Sequence, residues 1–187
     1  MKKNFLCLLF IINLVTLSSV KAQSSQTAVI LGTQVGFPFH DYKASVDFAA
    51  KAELSVLPKL KLIFSAGYSA FIPQDRNYNI INPVCDGCTV MLTHVSTPLY
   101  KFIPVKAGLR YYFLKYLYLN GDAGAAFKAN YETNTSFIYG FGLGTLIPFN
   151  AHNSLDFGLN FESGYKTVDY NNAESQLGFN LAYRYQF

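Results

Sequence analysis

Leu177-Gly178-Phe179-Asn180-Leu181-Ala182-Tyr183-Arg184-Tyr185-Gln186-Phe187 closes the chain. Leu177, Phe179, Leu181, Tyr183, Tyr185 and Phe187 hold the odd positions, and Gly178, Asn180, Ala182, Arg184 and Gln186 the even ones. Successive side chains of a β-strand point to opposite faces, so this alternation describes a strand with one apolar and one polar side.

The same test succeeds further up the chain. Residues 45–57, 60–71, 102–113, 117–128, 135–147 and 154–165 alternate in this way, and residues 27–37 do so less cleanly. In 135–147, for example, Phe137, Tyr139, Phe141, Leu143 and Ile147 are interleaved with Ser136, Gly140, Gly142 and Gly144. With the terminal segment this predicts eight strands, each near the roughly 9–11 residues that a tilted membrane strand needs. The connections at 57–59, 114–115 and 150–153 are short; 38–44 and 129–134 are intermediate; 72–101 and 166–175 are long. Short turns at one end and long loops at the other describe an all-β, eight-stranded antiparallel up-and-down transmembrane β-barrel, both termini on the short-turn, periplasmic side.

The position of the charges decides which kind of barrel this is. Asp47, Lys51, Glu53, Lys61, Lys106, Arg110, Asp122, Lys128, Asp156, Glu162 and Arg184 lie on the predicted strands, all on the polar face. A soluble barrel such as a lipocalin would place its charges outside. Here the polar face is the lumen, because a Lys or Arg facing lipid at mid-bilayer costs about 2–4 kcal/mol. Eight strands enclose room only for their own side chains. The near balance of opposite charges therefore predicts a lumen plugged by ion pairs, with Gly108, Gly124, Gly140, Gly142, Gly144, Gly158 and Gly164 making room for long side chains. A narrow ion path lined by the same residues is the alternative.

Composition agrees with this. Of 187 residues, 51% are hydrophobic, 17% aromatic and only 14% charged. That excludes a disordered chain and a basic nucleic-acid-binding surface. Lys2 and Lys3, the apolar run 5–15 and the small residues of Val20-Lys21-Ala22 form a signal peptide, residues 1–22, too short to serve as a membrane anchor. Residues 23–187 form the barrel domain. Losing Lys2, Lys3 and Lys21 lowers the net charge from +4 to +1, so no basic patch should be read from the pI near 8.9.

The mature chain resembles the small outer-membrane β-barrel family of Gram-negative bacteria, the OmpX/OmpA-like barrels also called the porin family. The residues carrying the resemblance are the terminal strand, above all Tyr183, Tyr185 and Phe187, and the run from Ile103 to Phe113 followed by a turn and Tyr116-Leu117-Tyr118-Leu119. The resemblance implies an outer-membrane location, a lipid surrounding, and a terminal strand read by the barrel assembly machinery. It brings no catalytic residues and no cofactor. An external ligand would meet the loops, and nucleic acid is not a partner.

Sites with chemistry are few. Cys85-Asp86-Gly87-Cys88 lies in the longest loop, where Asp-Gly signals a hairpin protruding from the barrel; two further spanning strands are the alternative. Exported thiols are oxidised, so Cys85 and Cys88 are expected to form a local disulfide. A redox role would need a thioredoxin-like context, and a metal site needs ligands beyond His94. His40, His94 and His152 all fall in loops or turns, so no catalytic triad is expected and the reading is a non-enzyme. Phe37, Phe39, Tyr68, Phe71, Tyr100, Phe127, Tyr131, Phe137 and Tyr165 are expected in the outer aromatic girdle. Phe113, Tyr116, Phe149, Tyr185 and Phe187 are expected in the inner one.

Overall fold

A computed structural model describes residues 27–40, 42–73, 99–129, 135–166 and 173–187. The predicted signal peptide, the Cys85–Cys88 hairpin and Tyr131 lie outside these residues. The described chain forms β1 (Ala28–Pro38), β2 (Tyr42–Leu57), β3 (Leu60–Pro73), β4 (Tyr100–Tyr112), β5 (Leu117–Lys128), β6 (Thr135–Pro148), β7 (Asn153–Lys166) and β8 (Ala173–Gln186). Each strand pairs antiparallel with its sequence neighbours, and β1 pairs with β8 to close the barrel. Closure leaves no strand edge unpaired, which a bilayer requires because it offers backbone amides no partner.

A 14-residue strand such as β6 is about 46 Å long, or about 35 Å along the axis at a tilt near 40°. That exceeds a hydrocarbon layer of about 30 Å. At one end lie the tight turns 57–60, 113–116 and 149–152 and both chain ends, where Ala28 stands opposite Gln186. Asn150 shapes the third of these turns: its Oδ1 accepts the backbone N–H of His152 at 2.9 Å and of Asn153 at 2.8 Å. The longer connections all leave from the other end.

Burial is inverted relative to a soluble protein. The large exposed side chains are apolar, among them Phe48, Phe64, Leu119, Phe141, Leu143, Phe157 and Tyr183. The buried ones include Glu53, Arg110, Asp156, Glu162 and Arg184. The apolar residues thus form an outward band, and the polar residues fill the interior.

The structure corrects the sequence reading in three ways. First, the strands run further toward the loop end, so Lys43, Lys101, Lys166 and Glu174 sit on strands rather than in loops. Lys101 shares the outward parity of Ile103 and Val105, so charges avoid the apolar band itself but reach its rim. Second, Phe71, Tyr100 and Tyr165 face inward rather than joining the outer girdle. Phe71 shares the parity of Lys61 and Ser65, and Tyr100 that of Lys106 and Arg110, so their faces follow from strict alternation. Third, Gly164 is not a space-making lumen glycine. It adopts φ +107° within a β-bulge between Ser163 and Tyr165. The bulge inserts one residue, shifts the parity by one and turns Tyr165 into the barrel.

Candidate functional site

The lumen is built in layers. Nearest the turn end, Glu53 on β2 collects three cations: Lys61 Nζ at 3.2 Å, Arg110 Nη1 at 3.2 Å and Arg184 Nη2 at 2.8 Å. Arg110 reaches across to Asp156 on β7 at 2.8 Å. Tyr112 donates its hydroxyl to Glu53 at 3.1 Å, and Tyr118 donates to Asp156. The Arg110 guanidinium also lies 3.9 Å over the Tyr118 ring. Charges this deep are tolerable because each carboxylate accepts several donors and each cation has a counterion.

A second layer lies midway. Lys106 on β4 bonds Glu162 at 2.5 Å and Asp122 at 3.4 Å. Glu162 also accepts the Tyr165 hydroxyl at 3.0 Å and Gln176 Nε2 at 3.2 Å. Asp47 accepts Gln34 Nε2 at 3.2 Å and Gln176 Nε2 at 3.4 Å. Asn160 links on through Gln34 Oε1 at 3.0 Å. Uncharged amides thus tie together charges that are too far apart to meet directly.

Toward the loop end the lumen is apolar. Tyr42, Phe71, Phe102, Ala126, Ile138 and Tyr165 form one buried cluster. Phe71 and Tyr165 have ring centroids 5.0 Å apart, Phe102 and Tyr165 5.3 Å, and Tyr42 and Phe71 5.6 Å. The arrangement is edge-on or tilted, as aromatic quadrupoles prefer.

Ten of the eleven charges expected in the lumen are therefore divided as follows. Glu53, Lys61, Arg110, Asp156 and Arg184 meet in the turn-end layer; Lys106, Glu162 and Asp122 meet in the middle one. Asp47 belongs to the middle layer through amides, and the Lys128 ammonium lies 5.0 Å over the Tyr100 ring. The eleventh, Lys51, makes no ion pair with any described residue. At the level of the middle layer is a cavity of about 40 Å³ whose lining includes Gln34, Asp47, Lys51, Ser65, Lys106 and Glu162.

Sequence reasoning missed several participants. Glu174, 2% exposed with Oε2 3.8 Å from His40 Nδ1, is a sixth interior carboxylate. Tyr112 and Tyr118 were readable from their even parity, shared with Arg110 and Asp122. Space is arranged differently from the expectation too: a Cβ on Gly144 would collide with the Tyr118 phenol, so that glycine admits an aromatic ring rather than a Lys or Arg chain. Outside the lumen, Tyr183, Tyr185 and Phe187 are exposed, Phe187 at 69%. Among the described residues no group of His, Cys, Asp and Glu could hold a metal ion.

Several solved structures share this fold. Ail, the attachment invasion locus protein of Yersinia pestis, is 16% identical with a TM-score of 0.54, over 87% of this chain and 99% of that one. The neisserial surface protein NspA is 12% identical with a TM-score of 0.53, over 87% of this chain and 97% of that one. The outer-membrane protein AlkL, solved in lipid bilayers, is 11% identical with a TM-score of 0.51, over 88% of this chain and 90% of that one. No family model and no curated protein matches the chain. The fold is thus that of the small eight-stranded outer-membrane barrels.

Proposed function

We propose that the protein is a non-catalytic outer-membrane barrel with a closed lumen, serving as an envelope scaffold that presents its long loops to an external partner. The observation that carries this reading is the double obstruction of the lumen: the ion-pair layer around Glu53 and Arg110, and the aromatic cluster around Phe71 and Tyr165. A barrel of eight strands has no spare width beyond these side chains. In this reading both termini face the periplasm and the segments between β3 and β4 and between β7 and β8 face outward. The Cys85–Cys88 disulfide braces the hairpin tip, and the assembly machinery reads Tyr183, Tyr185 and Phe187. The Ail barrel has been solved in complex with the heparin analogue sucrose octasulfate, which supports testing this barrel for a ligand.

A narrow solute path is the second reading, favoured by the 40 Å³ cavity in the middle layer. Single-channel recording of the refolded mature protein separates the two. A silent bilayer, with loss of the surface phenotype when residues 77–95 are deleted from a barrel that still folds, is the expected result. Reproducible conductance that changes in Arg110→Ala would establish the path, and a phenotype indifferent to the deletion would sink the loop role.

A further inference from the structure

We propose that Lys51 is the core of an internal binding site for a small monovalent anion, chloride in size and charge. Lys51 on β2 stands opposite Ser65 on β3, and Ser65 opposite Lys106 on β4. All three share the inward parity, so one level of the wall presents an ammonium, a hydroxyl and a second ammonium in a row. All three line the 40 Å³ cavity. A cavity needs about 10–15 Å³ of such volume per water molecule, so this one has room for a small ion with a little of its hydration.

The charge arrangement selects an anion. The charges acting on Lys51 are Arg110, Asp156, Lys106 and Glu162. Arg110 is paired with Asp156 at 2.8 Å and Lys106 with Glu162 at 2.5 Å, so neither carboxylate is left over for Lys51. A half-buried ammonium without a counterion is costly, and an anion accepted by it would lower that cost. Two carboxylates line the cavity: Glu162, which Lys106 neutralises at 2.5 Å, and Asp47, four residues along the same strand from Lys51 and so about 13 Å away along the backbone. The Asp47 Oδ2 accepts two amide donors, while Oδ1 has no partner in bonding geometry, a deficit one water molecule can meet. Lys51 has no comparable partner among the described residues.

The test uses the refolded mature protein in detergent, with its unfolding midpoint measured at fixed ionic strength in chloride, bromide or gluconate. Wild type should show a midpoint that rises with the logarithm of chloride or bromide concentration, by about 3–6 °C when the halide is about tenfold above its dissociation constant, and no rise in bulky gluconate. The rise should vanish in Lys51→Met. A midpoint indifferent to the anion, or the same rise in Lys51→Met, overturns the site. If Lys51→Met does not refold, anomalous scattering from bromide in wild-type crystals decides: a peak within hydrogen-bonding reach of Lys51 Nζ supports it, and no peak in the lumen overturns it.

Discussion

Arg110 on β4 and Asp156 on β7 meet at 2.8 Å across the barrel interior, joining strands on opposite walls. Arg110 is 2% exposed and Asp156 fully buried, so the pair is held in place of water rather than beside it. Removing one partner leaves the other charged and enclosed, which costs about 3–5 kcal/mol. Asp156→Ala should lower unfolding stability by that amount in urea titrations of the refolded barrel. A loss under about 1 kcal/mol would show that Glu53, already 3.2 Å from Arg110, suffices as its counterion.

Tyr118 reaches its place beneath the Arg110 guanidinium only because residue 144 has no side chain. Gly144→Val should cost about 1–3 kcal/mol through overpacking. Combined with Tyr118→Ala, the added side chain meets no ring, so the double variant should be less destabilised than the sum of the two singles. Additive effects in that cycle would refute the contact.

Gly164 decides which way Tyr165 points. At φ +107° a side chain is strained by about 1–2 kcal/mol, and a Cβ would also meet the Phe137 carbonyl oxygen. Gly164→Ala should therefore destabilise the barrel. Deleting Gly164 should restore unbroken alternation with Ser163 outward and Tyr165 still inward, because Gly164 is the inserted residue. A cysteine placed at 165 should therefore be protected from a membrane-soluble thiol reagent both with and without Gly164. Lipid accessibility at 165 in the chain that keeps Gly164 would contradict the bulge.

The outward band should resist charge according to depth. Leu143→Arg, near the middle of β6, should cost about 2–4 kcal/mol in a bilayer, while Phe149→Arg in the turn should cost about 0–1 kcal/mol. Equal costs at the two positions would mean that the band is not buried in lipid.

If the terminal aromatics address the chain to its assembly machinery, deleting Phe187 should reduce insertion in cells while leaving refolding into detergent nearly unchanged, because Phe187 is 69% exposed and ties into the barrel by one backbone hydrogen bond to the Thr27 carbonyl at its rim. An equal loss in both assays would assign Phe187 a purely structural role.

The eight strands, their antiparallel order and the inside-out distribution of charge were legible in the sequence, because a strand's period of two records which face meets lipid at every residue. Inward aromatics such as Phe71 and Phe102 were legible from the same parity, although the habit of assigning aromatics to membrane interfaces concealed them. Tyr165 was not legible. A one-residue bulge reverses parity, and glycine is too frequent in these strands for Gly164 to announce one.

The sequence by itself determined the barrel and the composition of its lumen, because lipid on one side and close packing on the other constrain every second residue. Only the tertiary structure decided the partners within that lumen. Arg110 and Asp156 lie 46 positions apart and meet through closure and stagger, as do Lys106 and Glu162. It also decided that Lys51 has no such partner, since pairing across a closed interior depends on strand stagger and side-chain reach, which alternation does not encode.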